Sequence, residues 1–164
     1  MRPGLSDALL DWTERTRRDL PWRRTRDPWA VLVSELMLQQ TQVARVVPSY
    51  HAFLARFPTA TDCAAGTVGD VVTLWAGLGY NRRAVNLHRS ATRLVADHGG
   101  ALPDDLAALL ALPGIGPYTA RAVLAFAFGH DVGVVDTNAA RVLARTGGRT
   151  LTRAEVQRAA DASV

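Results

Sequence analysis

The stretch LPGIGPYTARAVLAFAFG, residues 112–129, constrains this 164-residue chain more than any other. Two glycines one residue apart permit positive φ and leave a bare backbone surface. The sequence reads as helix on both sides, with a short helix starting at Pro103 or Asp104 and running to Leu110, and a strongly apolar helix from Thr119 to Phe128. A dinucleotide-binding turn needs a preceding strand and a third glycine, and neither is present. A helix–hairpin–helix fits instead, and its free N–H groups beside a helix N-terminus suit a phosphate. The alternative is a tight interhelical turn without a ligand.

Most of the remaining chain also reads as helix. Residues 4–18 form an amphipathic segment with Leu5, Leu9, Leu10 and Trp12, and LPWRRTRDP (20–28) interrupts it. Apolar spacing predicts one helix from Trp29 to Val47, ended by Pro48. Shorter helices are predicted near 49–56, 60–65 and 67–76, then from Arg82 to Asp97 after the glycines of AGLGYNRR. GVVD before Thr137 reads as an extended piece too short to found a sheet. The closing helix carries Thr152 at its cap and Glu155 three residues on, a capping box. The expected fold class is all-α. Met1 reads as a natural start and Val164 as a cut.

Composition narrows the chemistry. All 19 basic residues are arginine, and the formal net charge is +4. A basic excess is compatible with nucleic acid, though many unrelated proteins share it. Without lysine the chain has no ε-amine for a Schiff base. Cys63 is the single cysteine, so an internal disulfide or cysteine-ligated cluster is excluded within this sequence, and the four histidines lack metal-ligand spacing. No metal site from side chains is expected. Residues 1–20 are too charged for a secretory signal, and the expectation is a soluble, intracellular (cytoplasmic) protein that does not enter membranes.

Two carboxylates stand out. Glu35 lies in AVLVSELMLQQTQV among apolar side chains, whereas the other two glutamates, Glu14 and Glu155, have polar neighbours. Desolvation raises the pKa of such a carboxyl and makes it a candidate general acid near neutral pH. The competing reading puts Glu35 on a partly exposed polar face beside Ser34. Asp136, in VVDTNAARVLAR, is a helix N-cap candidate, where the helix dipole favours negative charge and Asn138 can orient the carboxylate. Capping alone is the plainer account. Past the Gly-rich turn, where a lysine nucleophile could sit, the residue is Tyr118.

The polar run Gln39, Gln40, Thr41, Gln42 ends an apolar pattern abruptly, and amide side chains can fill a gap in a base stack. Tyr80 follows two glycines, with Arg82 and Arg83 behind it, and Trp22, Arg23 and Arg24 repeat that combination. An aromatic wedge with arginines on phosphate is one reading. Solvated helix faces and buried aromatic anchors are the other.

Together, SELMLQQTQV, LWAGLGYNRRAVNLH, LPGIGPYTA and VVDTNAARVLAR resemble the helix–hairpin–helix DNA glycosylase superfamily, most closely its MutY-type adenine glycosylases, over residues ~5–164. The resemblance implies a six-helix lobe at residues 20–130 and a partial cluster-side lobe from 1–19 and 131–164. It implies that Glu35 protonates adenine and later assists water, that Asp136 stabilises the sugar cation, and that Tyr118 and Asn138 support them. Gln40, Thr41, Tyr80, Leu78 and Arg82 would contact DNA around 8-oxoguanine. Leu20, Trp22 and Arg23 would line the adenine pocket. Gly114 and Gly116 would meet DNA phosphate, with a monovalent cation on nearby carbonyls. The implied partner is double-stranded DNA with an adenine:8-oxoguanine mispair, bound by a monomer. Family members usually continue into a four-cysteine loop holding a [4Fe–4S] cluster, then a domain that reads 8-oxoguanine. This chain stops before both, so weak activity and poor discrimination are expected. Breaking an N-glycosidic bond needs a protonated base and a stabilised sugar cation, and a raised-pKa acid with an ionised carboxylate answers both. The alternatives are a non-catalytic or inactive DNA-binding fragment, or an endonuclease III-like lyase, which the missing lysine disfavours.

Overall fold

The computed structural model describes residues 5–164, with side chains from Asp7 onward. The described residues are all-helical, without a strand. In chain order come α1 (Leu5–Thr16), a 3-10 turn (Pro21–Arg23), α2 (Pro28–Leu38), α3 (Val43–Arg56), α4 (Ala60–Ala65) and α5 (Val68–Leu74). They are followed by α6 (Arg82–His98), α7 (Leu106–Leu110), α8 (Pro117–Val123), a π-helical turn (Leu124–Phe128), α9 (Thr137–Thr146) and α10 (Arg153–Asp161). No described helix is long and apolar enough to cross a membrane. The chain divides into two compact units, Pro21–His130 and a smaller one made of residues up to Leu20 with Asp131–Val164.

In the larger unit α2 is the central element. Asp27 caps it by accepting from the Trp29 N–H at 3.1 Å, and Pro28 supplies its first residue. Every residue from Trp29 to Met37 is buried, so the helix is enclosed on all sides. Beneath it lies an aromatic cluster. The Phe53 ring sits 5.3 Å from Phe57, 6.2 Å from Trp75 and 6.5 Å from Trp29. The Trp29 indole N–H donates to the Phe57 carbonyl at 3.0 Å, so its polar atom is satisfied in the core.

The single helix expected over 29–47 is two helices. α2 stops at Leu38, the Thr41 N–H turns back to the Leu38 carbonyl at 3.2 Å, and α3 starts at Val43. Periodicity missed the break because the apolar stripe resumes in phase enough at Val43 and Val46. Pro48 does not end a helix either, since it lies inside α3. Its missing N–H leaves only the carbonyl of exposed Ala44 without a helical partner, a position water can serve. α7 begins at Leu106 under Asp105, which accepts from Ala108 N–H at 2.8 Å, not at Pro103 or Asp104. Asp104 instead pairs with His130 at 2.7 Å. α8 starts two residues before Thr119 and widens into the π-turn closed by Gly129 at φ 76°. Capping boxes at Thr59/Asp62 and Thr67/Asp70, not anticipated, fix the starts of α4 and α5.

In the smaller unit, Asp136 caps α9 and the Thr152/Glu155 capping box starts α10, as read from the sequence. Residues 131–136 form no strand. A Cβ on Gly133 would lie 2.6 Å from that of Ala160, so only glycine lets this segment lie against α10. The Gly133 N–H donates to the Asp161 carboxylate at 3.0 Å, and the Gln157 amide donates to its carbonyl at 2.8 Å.

Phe53 meets three aromatic rings and is fully buried. Phe53→Ala should cost about 3–5 kcal/mol in urea unfolding. A loss below about 1 kcal/mol would mean that the cluster does not organise this core.

Candidate active site

Glu35 lies in the last turn of α2 and is 7% exposed. Ser34 is more deeply buried, its hydroxyl donating to the Val31 carbonyl at 2.8 Å, so no polar face exists here for Glu35 to share. Burial pushes the Glu35 carboxyl up to about 7, partly offset by a hydrogen bond from Tyr118. Glu35 is therefore able to carry its proton close to neutral pH.

The hairpin delivers Tyr118. Gly114 takes φ 78°, and a Cβ there would fall 2.6 Å from the Asn86 amide of α6. Both conformation and close packing demand glycine. Ser90 of α6 donates to the Pro113 carbonyl at 2.8 Å, and the Ile115 N–H closes the turn on Leu112 at 3.2 Å. Gly116 caps α8 with open space around its α-carbon, and Tyr118 follows in the first helical turn. Gly114 and Gly116 thus present bare backbone, while the next side chain but one reaches the acid.

A second cluster joins the α2–α3 break to the α5–α6 loop. Gln40 and Tyr80 are the described non-glycine residues with positive φ, at 54° and 49°. Such conformations cost on the order of 1–3 kcal/mol each and persist only where the surroundings impose them. Both side chains are exposed, Tyr80 at 65%, so Tyr80 is not a buried anchor. With Gln39, Arg82 and Asn86 they line a concave pocket.

Arg83 imposes the arrangement. Its Nη1 donates to the carbonyls of Leu36, Met37 and Gln39 at 2.7, 2.9 and 2.6 Å. Its Nη2 donates to the Thr41 hydroxyl and to the carbonyls of Leu78 and Gly79 at 3.1, 3.2 and 2.9 Å. Arg83 is therefore a buried staple and does not hold phosphate, correcting the reading of the arginine pair, whereas Arg82 is exposed. Burial lowers the Arg83 pKa. A signal for this was present: Arg83 precedes Leu87, Ser90 and Leu94 by four, seven and eleven residues, on the buried stripe of α6.

Other candidate residues differ in exposure. Leu78 is buried, so it offers Thr41 and Arg83 its carbonyl rather than a surface side chain. Trp22 is buried edge-on against Tyr50 at 5.5 Å, which is the anchoring alternative, and Leu20 is also buried. Arg23 is exposed. Gln39, not singled out individually, reaches the Thr119 hydroxyl at 3.4 Å and so ties α2 to α8.

Asp136 belongs to the smaller unit. One carboxylate oxygen accepts from the Ala139 N–H at 2.7 Å, and the other accepts from the Asn138 amide at 3.2 Å. Both ends of the exposed carboxylate are thus oriented. Cys63, within α4, is fully buried, and the described residues hold no group of side chains suited to a metal. One inaccessible thiol does not fit a thiolate-ligated cluster.

Residues 33–163 match the family described as HhH-GPD superfamily base excision DNA repair protein. The chain belongs to that superfamily. An adenine DNA glycosylase of Mycobacterium tuberculosis is 50% identical over 143 residues, covering 86% of this chain and 47% of the relative. One of Homo sapiens is 46% identical over 147 residues, covering 84% and 27%. The chain thus spans about half the length of its mycobacterial relative. Among solved HhH-GPD-like folds, a thermostable thymine-DNA glycosylase superposes with a TM-score of 0.89 at 30% identity, over 96% of this chain and 76% of that one. A trapped endonuclease III–DNA covalent intermediate superposes at 0.81 and 25% identity, over 93% and 72%.

Burial of Glu35 links stability to pH. The folded state binds the proton more tightly than the unfolded chain, so this contribution is full below pH 4.5 and is lost as pH rises through about 7. Glu35→Gln should therefore leave stability little changed at pH 4 and raise it at pH 8, by up to roughly 3 kcal/mol. Chemical denaturation at the two pH values measures the difference. An equal effect at both would show that the carboxyl is not desolvated.

Proposed function

We propose that this chain carries the catalytic residues of an adenine DNA glycosylase that hydrolyses the N-glycosidic bond of adenine mispaired with 8-oxoguanine in duplex DNA. The carrying observation is Glu35, a carboxyl held by burial at a pKa of about 7 beside the hairpin's Tyr118. The mycobacterial and human relatives, both adenine DNA glycosylases, support the choice of base.

The chemistry follows from the groups present. Neutral Glu35 gives its proton to a ring nitrogen of the flipped-out adenine, which makes the base a better leaving group. The bond from the sugar C1′ to the base then breaks, and its electrons leave with adenine. The ionised Asp136, fixed by Ala139 N–H and the Asn138 amide, stabilises the positive sugar. Glu35, now a carboxylate, takes a proton from the water that attacks C1′. The products are free adenine and an abasic sugar in an unbroken strand. A lysine-bound Schiff base is closed to this chain because it has no lysine. The [4Fe–4S] cluster of the longer family members has no ligands here and enters no step.

DNA is held in the same scheme by the bare hairpin backbone and by Arg82, while Gln40 and Tyr80 wedge beside the 8-oxoguanine with Thr41 and Leu78 behind them. Trp22, Leu20 and Arg23 stand on the adenine side. The protein acts as a monomer, in the cytoplasm with the nucleoid DNA. α9 buries no side chain among the described residues, so Asp136 is less firmly seated than Glu35.

The test uses duplex DNA with adenine opposite 8-oxoguanine, incubated with this chain and with a version extended to the relatives' length. The expected result is free adenine, with strand breakage only after alkali. Glu35→Gln should lower release by about 10²–10⁴-fold and leave DNA binding largely intact. Single-turnover release should fall about tenfold per pH unit above 7, as Glu35 loses its proton. Breakage without alkali would favour a lyase, and binding without release from either length would sink the enzymatic reading.

A further inference from the structure

The residues that carry the strained pair are joined through one side chain. In each loop a left-handed residue follows a carbonyl held by the same guanidinium. Gln39 O, immediately before Gln40, takes Arg83 Nη1 at 2.6 Å, and Gly79 O, immediately before Tyr80, takes Nη2 at 2.9 Å. The Thr41 hydroxyl lies between the loops, accepting from Nη2 at 3.1 Å and directed at Gln39 O and Leu78 O, both at 3.3 Å. The Arg83 guanidinium carbon also lies 5.7 Å from the Tyr80 ring centre and 5.5 Å from that of Trp75. One planar cation thus sets the peptide leading into each exposed side chain.

We propose that Arg83 is a positioning residue that locks Gln40 and Tyr80 into one preformed two-sided wedge, so that the protein meets a mispair with the wedge already built. The proposal rests on the reading above that Gln40 and Tyr80 enter DNA. Two αL residues side by side would relax to ordinary conformations if their preceding carbonyls were released, and the side chains would swing away. Preorganisation of this kind favours the bound complex because little ordering is left to be done on binding. A lysine cannot replace the arginine. Its donors radiate from one nitrogen, whereas the acceptors lie on two loops reached by two nitrogens in a fixed fork.

The decisive variant is Arg83→Lys, which keeps the charge and loses the fork. The probe is a duplex with non-hydrolysable 2′-fluoroadenosine opposite 8-oxoguanine and with 2-aminopurine next to the 8-oxoguanine. Its fluorescence rises when neighbouring bases unstack and does not depend on catalysis. The wild-type chain should produce a rise that Tyr80→Ala abolishes. Arg83→Lys, with helix content intact by circular dichroism, should lose most of that rise and bind the mispair about tenfold more weakly, with affinity for undamaged duplex unchanged. A full rise in Arg83→Lys, while Tyr80→Ala still abolishes it, overturns the role of Arg83 alone. No rise with the wild-type chain removes the wedge reading and this proposal with it, whatever the base-release assay shows.

Thermal unfolding gives an independent arm that survives a poorly folding variant. Glycine adopts φ near 54° freely, so Gln40→Gly should gain stability in the wild-type background, where Arg83 holds the strained conformation, and gain less in the Arg83→Lys background, where the loop has relaxed. Equal effects of Gln40→Gly in both backgrounds would show that Arg83 does not hold the strain at position 40, and where Arg83→Lys fails to fold, the absence of any gain from Gln40→Gly in the wild-type chain would overturn that role.

Discussion

Keeping one carboxyl out of water is the constraint on which the candidate site depends. The Glu35 carboxyl is pushed up to about 7 because α2 is enclosed from Trp29 to Met37. That enclosure requires α3, α6 and α8 to pack around a helix with no solvent face, and it explains why α2 is so short. An eleven-residue helix buried from Trp29 to Met37 must end where the chain returns to the surface, and it ends three residues after Glu35. Tyr118, its hydrogen-bond partner, is 38% exposed, so the group bonded to the carboxyl reaches the surface.

Ending a buried helix creates a second demand. The last carbonyls of α2 cannot be left unpaired in the core, where each would cost about 1–3 kcal/mol. The Leu38 carbonyl takes the Thr41 N–H, and those of Leu36 and Met37 take Arg83. A cation at a helix C-terminus also meets the negative end of the dipole. The same guanidinium then extends to the α5–α6 loop. Thus the solution to a packing problem beside Glu35 also sets the geometry of the pocket lined by Gln40 and Tyr80. Acid and pocket are built from opposite ends of one helix terminus.

Features governed by neighbours in sequence were legible, and those governed by distant partners were not. The caps at Asp136 and Thr152, the turn at Gly114 and the burial of Glu35 follow from residues within a few positions. The break at Gln39–Gln42 does not, because it is stabilised by an arginine 44 to 47 residues away. Pro48 misled for a related reason: its effect depends on whether the carbonyl it orphans faces water, which sequence spacing does not reveal. Of the site, the acid and the hairpin were readable separately. That Tyr118 reaches Glu35 emerges only when α8 lies beside α2. Arg83 was visible on the buried stripe of α6, but an arginine on an apolar stripe has no meaning until its acceptors are known.

The absence of lysine unites these points. A buried ammonium readily loses its proton and becomes a nucleophile, so a lysine stapling the α2 terminus would be a reactive amine within one turn of Glu35. Arginine starts from so high a pKa that the lowering by burial leaves it charged and inert. It can therefore sit within one turn of the acid as a purely structural cation. The side chains around the hairpin then include carboxyl, hydroxyl and guanidinium groups and no amine. Under the proposed glycosylase reading, a chain of this composition cleaves the bond to the base while the phosphodiester backbone stays closed.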